Sequence, residues 1–402
     1  DWYGSGSGAS SPTSAGWWDE NWKYRRKITI DHTKIDSDLT DFPVLVKLTS
    51  SNFDFSKARS DGYDVRFIAS DGTTTLKYER ERHDSNNQVA EYWVKIPSVS
   101  SSSDTEFYIY YGNSSASDGA DPTNVWDSNF RMVQHLEESS GTLYDSTANS
   151  YDGSYTGTTF IDGKIGKARD FPGADTGDYL SLNYQAINGL GDFTLECWGY
   201  TASNTDYTIF SGANDSQNNE LIFFWGGGTF KPHICGTGYT GSHTISTDSV
   251  WRYYVMVRSG STIYLYVNGT LEDTVSANST ILTIASGGFI IGQEQDSVGG
   301  SFEATQAWNG PLDEIRVSQI ARSSAWIKAQ YYSQNDTLLS FASEEGKYYS
   351  SGNYKSNVLD TGADGTKIIE VSWNPTSQPA GTDIQVSVRA SNTVFGANDE
   401  TP

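Results

Sequence analysis

The residues best placed to do chemistry are three in a row, Glu294-Gln295-Asp296. In an extended segment side chains two apart point the same way, so Glu294 and Asp296 share one side and Gln295 lends its main-chain oxygen between them. Calcium takes about six to eight hard oxygen ligands at about 2.3–2.6 Å, from carboxylates, amides and carbonyls. A third carboxylate, Glu303, follows in the same stretch. Bound cations explain how so many acidic groups crowd one loop without repelling it open. For Glu294-x-Asp296 taken alone the competing reading is a solvated acidic loop, which is common on an acidic chain.

Other chemistries fit less well. A retaining glycosidase needs two carboxylates about 5–5.5 Å apart, but Asp296 is followed by Ser297, Val298 and Gly299, so no second Glu falls in place. There is no HExxH and no GxSxG, and His32, His83, His135, His233 and His243 lie far apart in sequence. No enzyme is expected.

The chain has 402 residues, with 27 Lys+Arg against 50 Asp+Glu, a net charge of −23. That excludes non-specific nucleic-acid binding, which needs a basic face, and argues against docking on anionic lipid. Aromatics reach 13%, enough for real cores, so wholesale disorder is excluded. Two cysteines support no disulfide framework, and no apolar run approaches the roughly 20 residues of a membrane span. The start at Asp1 reads as processed or trimmed.

The elements that must position the acidic loop are strands. Val44, Val46 and Leu48 alternate onto one face, and Ile263, Leu265 and Val267 do the same, with Gly, Asn, Asp and Ser clusters between such runs. The pattern predicts an all-β chain of antiparallel β-sandwiches. One short helix is expected near 324–332, capped by Ser323 or Ser324, with Ile327 and Tyr331 on one face. Residues 1–16 read as a flexible Gly/Ser-rich arm, 17–126 and 127–345 as two sandwich units, and 346–402 as the start of an incomplete one. That last unit has three strand patterns, Tyr354–Leu359, Ile368–Trp373 and Ile384–Ala390. Three strands leave edges that more chain, or a strand from another copy, would have to pair.

Two resemblances sharpen this. Trp22–Ile28, Asp41–Val46, Asp61–Phe67, Trp93–Pro97, Tyr108–Asn113 and Val125–Asp127 resemble the domain of unknown function numbered 2341, found in microbial surface and secreted proteins. The resemblance implies a β-sandwich and no catalytic role. Arg25 and Arg26 read as surface ion-pair partners rather than an anion site. In the second unit, Phe193-Thr194-Leu195, Trp251–Val255, the strand ending in Asn268-Gly269, and Trp308–Val317 are similar to laminin-G-like, concanavalin-type jelly rolls. In that family Asp313 and Arg316 brace a turn.

Ile291–Gln306 together with Gln217–Trp225 resembles the calcium-binding segments of pentraxins. The resemblance implies that Asn218 and Asn219 ligate calcium through side-chain oxygens. Glu294 and Asp296 would do so by carboxylate and Gln295 by its main-chain carbonyl, with Glu303 and Gln306 completing an adjacent site. Asn218 stands where pentraxins usually have Asp, which weakens one ligand. The pentraxin disulfide is not reproduced: a Cys197–Cys235 bridge and buried free thiols are both open. Phe224 matches a ligand-contact position of some pentraxins, but the rest of that pocket is not recognisable. The expected protein is a non-enzymatic extracellular surface protein, an adhesin or filament subunit with a calcium-binding lectin-like domain. The alternative is a calcium-dependent carbohydrate-binding module of a larger secreted enzyme. Expected partners are glycans or further copies of the chain. Asn113, Asn214, Asn268, Asn278 and Asn335 begin Asn-x-Ser/Thr glycosylation sequons.

Overall fold

Strands that alternate apolar and polar residues bury one face, so two such sheets must close on each other. The computed structural model describes residues 17–173, 177–201 and 207–347. The expected arm at 1–16 lies outside the described residues, as do the three strand patterns expected between 354 and 390.

The first sandwich has two sheets. In one, Tyr24–Ile30 pairs with Thr105–Tyr111, which pairs with Arg66–Ala69. In the other, Leu39–Thr49, Val89–Val99 and Tyr78–Asp84 lie in that order. Val44, Val46 and Leu48 are fully buried in its core beside Tyr92, Phe67 and Ile109. The chain returns to this sandwich at the far end of the described residues. Leu339–Phe341 and Glu345–Gly346, which the sequence boundaries place with or at the edge of the second unit, both pair antiparallel with Tyr24–Ile30. Arg25 forms an ion pair with Glu345 at 2.8 Å.

The second sandwich has two eight-stranded sheets. One is centred on Phe193–Gly199 between Arg252–Ser259 and Gly310–Ser318. The other is centred on Tyr207–Asn214 between Gln217–Gly226 and Phe289–Ile291. Ile263, Leu265 and Val267 face the core between them, as the alternation requires.

Helix α1 (Ser324–Gln334) explains why Trp18–Lys347 forms one unit. Ile327 and Tyr331 pack with Trp198, Tyr253 and Tyr266 on the outer face of the second sandwich. Ala325, Trp326 and Ala329 enter the first core. Leu45 therefore has a covered outer face, and its N–H donates to Ser333 Oγ at 2.8 Å. Ser323 caps the helix by accepting from the Trp326 N–H at 3.2 Å. Ser323→Ala should therefore cost about 1 kcal/mol of stability, read by chemical denaturation; no change would mean that packing alone sets the helix start.

The contact between the sandwiches is aromatic and charged. The Arg316 guanidinium lies 4.2 Å from the Trp93 ring and 4.9 Å from the Trp126 ring. It donates to Glu314 from Nε at 3.1 Å and to Gln330 Oε1 at 3.2 Å. Gln330 in turn donates to the Pro43 carbonyl at 2.9 Å. Arg322 holds Asp127 through two bonds of 2.7 and 2.8 Å and lies 4.1 Å from the Trp326 ring. Asp313 accepts from the Ile165 N–H at 2.9 Å, which is the bracing role expected of it.

Candidate metal centre

The acidic loop begins where Phe289–Ile291 ends. Gly292 turns the chain with φ +87° and sits so close to Phe171 that a Cβ would come within 2.3 Å of its ring. A residue with a side chain would be strained there on both counts. Gln295–Ser297 then pairs with Gly300–Phe302 as a two-stranded ribbon lying against the strands Tyr207–Asn214 and Gln217–Gly226.

Gln295 anchors the ribbon. Its side chain is fully buried, donating to Ser211 Oγ and to the Gly288 carbonyl at 3.0 Å each, and accepting from the Gly299 N–H at 2.8 Å. Its side-chain amide is thus committed to structure, which leaves the main-chain oxygen as the atom it could offer an ion. Alternation turns Glu294 and Asp296 away from Gln295.

The two acids differ in environment. Asp296 is exposed, while Glu294 is only 4% exposed. Burial, and then the charges of Asp296 and Glu303, push the Glu294 carboxyl up to about 7. Its Oε2 is buried with no hydrogen-bond partner among the described residues. A buried carboxylate oxygen without a donor is costly, and a hard cation is the group that would satisfy it. Glu303 is exposed and stands at the N-cap of the single turn Ala304–Gln306, without spending its side chain on a cap bond. Gln306 ends that turn half-buried, its N–H bonded to the Glu303 carbonyl at 2.8 Å. Asn219 is half-buried on Gln217–Gly226, its carbonyl accepting from the Gly236 N–H at 2.9 Å. Asn218 lies on the same strand, and its side chain is outside the described residues. The carboxylate oxygens of Glu294, Asp296 and Glu303 do not all come within 4.8 Å of one another. The donor types fit calcium, with Glu294 the most strongly constrained of them.

Phe224 is 7% exposed beside Gly226, so it offers little ring surface to a ligand. Cys197 and Cys235 are both free thiols. Three sequon amides are tied into the fold: Asn214 Nδ2 donates to the Thr283 carbonyl at 2.6 Å, Asn278 Nδ2 to the Ile234 carbonyl at 3.0 Å, and Asn335 Oδ1 accepts from Lys164 at 2.8 Å. Asn268 has φ +52° and accepts from the Tyr253 N–H at 3.0 Å, and Asn113 accepts from the Ser115 N–H at 3.1 Å.

A cluster not anticipated from sequence lies elsewhere. Glu81, His135 and Glu314 bring three ligand-type atoms within 4.8 Å of one another. No local spacing announces it, because the three residues are far apart in the chain.

Two facing sheets with a peripheral acidic loop make the second sandwich a concanavalin-type, lectin-like domain. Residues 173–328 match the Concanavalin A-like lectin/glucanases superfamily, and residues 61–152 match the Domain of unknown function (DUF2341) family. C-reactive protein of Sus scrofa is 31% identical over 181 residues, 42% of this chain and 76% of that protein. The mucosal pentraxin of Rattus norvegicus is 29% identical over 152 residues, 37% of this chain and 69% of that protein. The heptameric SAP-like pentraxin from Limulus polyphemus covers 36% of this chain and 70% of its own at 22% identity, with a TM-score of 0.32. Through its lectin-like domain, the chain belongs to the family of C-reactive protein and the pentraxins.

Proposed function

We propose that this chain is a non-enzymatic extracellular surface protein, an adhesin or filament subunit, whose lectin-like domain binds calcium. The observation that carries the calcium reading is Glu294, a buried carboxylate with one oxygen lacking a donor and two further acids beside it. Asn218, Asn219, Glu294, Gln295, Asp296, Glu303 and Gln306 are the residues assigned to hold the ion or ions. Calcium would supply charge neutralisation in the loop and a hard Lewis-acidic contact for hydroxyl oxygens. The ribbon and the buried Gln295 amide hold the loop in shape. The surface role is supported by the lectin-like class and by the chemistry of an acidic chain suited to divalent cations rather than to nucleic acid. Among the described residues no helix is long and apolar enough to cross a membrane.

Melting in calcium and in chelator tests the calcium reading. A ligand at a hundredfold excess over its dissociation constant stabilises by about 2.7 kcal/mol, so chelation should lower the melting temperature, and Glu294→Gln should abolish most of that difference. Equal melts with and without chelator would refute it. In calcium, a soluble sugar that raises the melting temperature would favour the carbohydrate-binding role. Regular self-assembly of the purified chain would favour the filament subunit.

A further inference from the structure

The geometry points to a second metal site, buried where the two sandwiches meet: Glu81, His135 and Glu314 hold one divalent ion of the zinc or manganese class. His135 Nδ1 lies 2.7 Å from Glu314 Oε1 and 3.4 Å from Glu81 Oε2. Two donors about 2.0–2.2 Å from one tetrahedral ion sit about 3.4 Å apart, the separation of His135 Nδ1 from Glu81 Oε2, while the shorter hydrogen-bond distance to Glu314 Oε1 would open by about 0.7 Å on binding. The two carboxylate ligands are also held from behind. His135 Nε2 faces Glu79 Oε2 at 3.3 Å. Trp93 Nε1 donates to Glu81 Oε2 at 2.6 Å, and Arg316 donates to Glu314 Oε2. Glu79 is itself fixed by Trp126 Nε1 at 2.9 Å and Ser146 Oγ at 2.6 Å. Donors behind the ligating carboxylates are part of the outer arrangement that orients metal ligands, and the Glu79 carboxylate lies near the second imidazole nitrogen without a hydrogen bond to it.

Independent features agree. The Glu81 side chain is 1% exposed, so its carboxylate is taken out of water with the Trp93 indole as donor to the oxygen that faces His135. Glu79, Glu81, Glu137, Asp313 and Glu314 crowd this region. Arg316 is engaged with Glu314, while Arg82 is already held by Glu91 through bonds of 2.7 and 2.8 Å. A divalent ion offsets two of the excess negative charges. Imidazole with carboxylates suits zinc, manganese or iron(II) better than calcium, which prefers oxygen alone. Glu314 also carries φ +55°, a left-handed conformation uncommon for a residue with a side chain. Because Glu81 comes from the first sandwich and the other two ligands from the second, the ion would clamp the two together.

The site is enclosed, so the ion must enter as the chain folds. The test is the full chain produced in medium supplemented with zinc and manganese, treated with a calcium chelator, and analysed for metals by mass spectrometry. About one transition-metal ion per chain is expected, unchanged by Glu294→Gln and lost in His135→Gln and Glu81→Gln. Should those variants fail to fold, the wild-type chain refolded with cobalt should show visible d–d absorption. Folded wild-type protein that carries no stoichiometric metal after loading and shows no cobalt band would overturn the proposal, and the cluster would then hold a proton on His135 instead.

Discussion

Arg316→Ala is expected to lower the free energy of unfolding by about 3–5 kcal/mol, the range for removing one partner of a buried ion pair. Arg316 and Glu314 are both fully buried. Burial alone would lower the guanidinium's affinity for its proton, but Glu314, Glu196 and Tyr253 outweigh that effect and hold it above its ordinary value. Truncation takes from Glu314 one of its two cationic neighbours, the other being His135 at 2.7 Å, removes the cation from the Trp93 and Trp126 faces, and breaks the bond to Gln330 on α1. Arg316→Lys should recover part of the loss, because a cation then still faces Glu314 and the two indole rings. Urea denaturation of the full chain measures both. A cost for Arg316→Ala within the range of an ordinary surface substitution, about 0.5 kcal/mol, would show that the two sandwiches do not depend on this residue.

Trp326→Ala should cost about 3–5 kcal/mol, as for other large-to-small aromatic changes in a core. Trp326 is 5% exposed, its ring 5.0 Å from Phe42 and 6.3 Å from Phe130, beneath the Arg322 guanidinium. Its indole Nε1 is buried without a hydrogen-bond partner among the described residues. Trp326→Phe keeps an aromatic ring in place, surrenders no bond and leaves a smaller cavity, so it should cost clearly less, about 1–2 kcal/mol. If the two variants lose equal stability, the indole makes a specific interaction that the packing argument omits.

Much of the fold was legible because β-structure writes its faces into alternate positions. Val44, Val46 and Leu48, and then Ile263, Leu265 and Val267, face their cores as the period of two requires. The helix was legible from a serine cap and an apolar pair, and it runs two residues past the expected end, to Gln334. Leu45 was not legible. On alternation it should point outward, and it is buried because α1 covers that face. At the acidic loop, Glu294 and Asp296 stood as equal partners in sequence. Their surroundings separate them, one buried and pushed up to about 7, the other exposed.

What the sequence determined by itself was therefore local: strand alternation, the helix cap, the acidic loop and the residue types able to bind a hard cation. These depend on neighbours one to four positions away, which any stretch of chain displays. The tertiary structure alone decided that one helix serves two cores, that the last described strands return to the first sandwich, and that Glu79, Glu81, His135 and Glu314 converge. Such groupings depend on which sheets face each other and in what register. They are set by the burial of whole faces and by closing loops of 50 to more than 200 residues, so no spacing between neighbours along the chain encodes them.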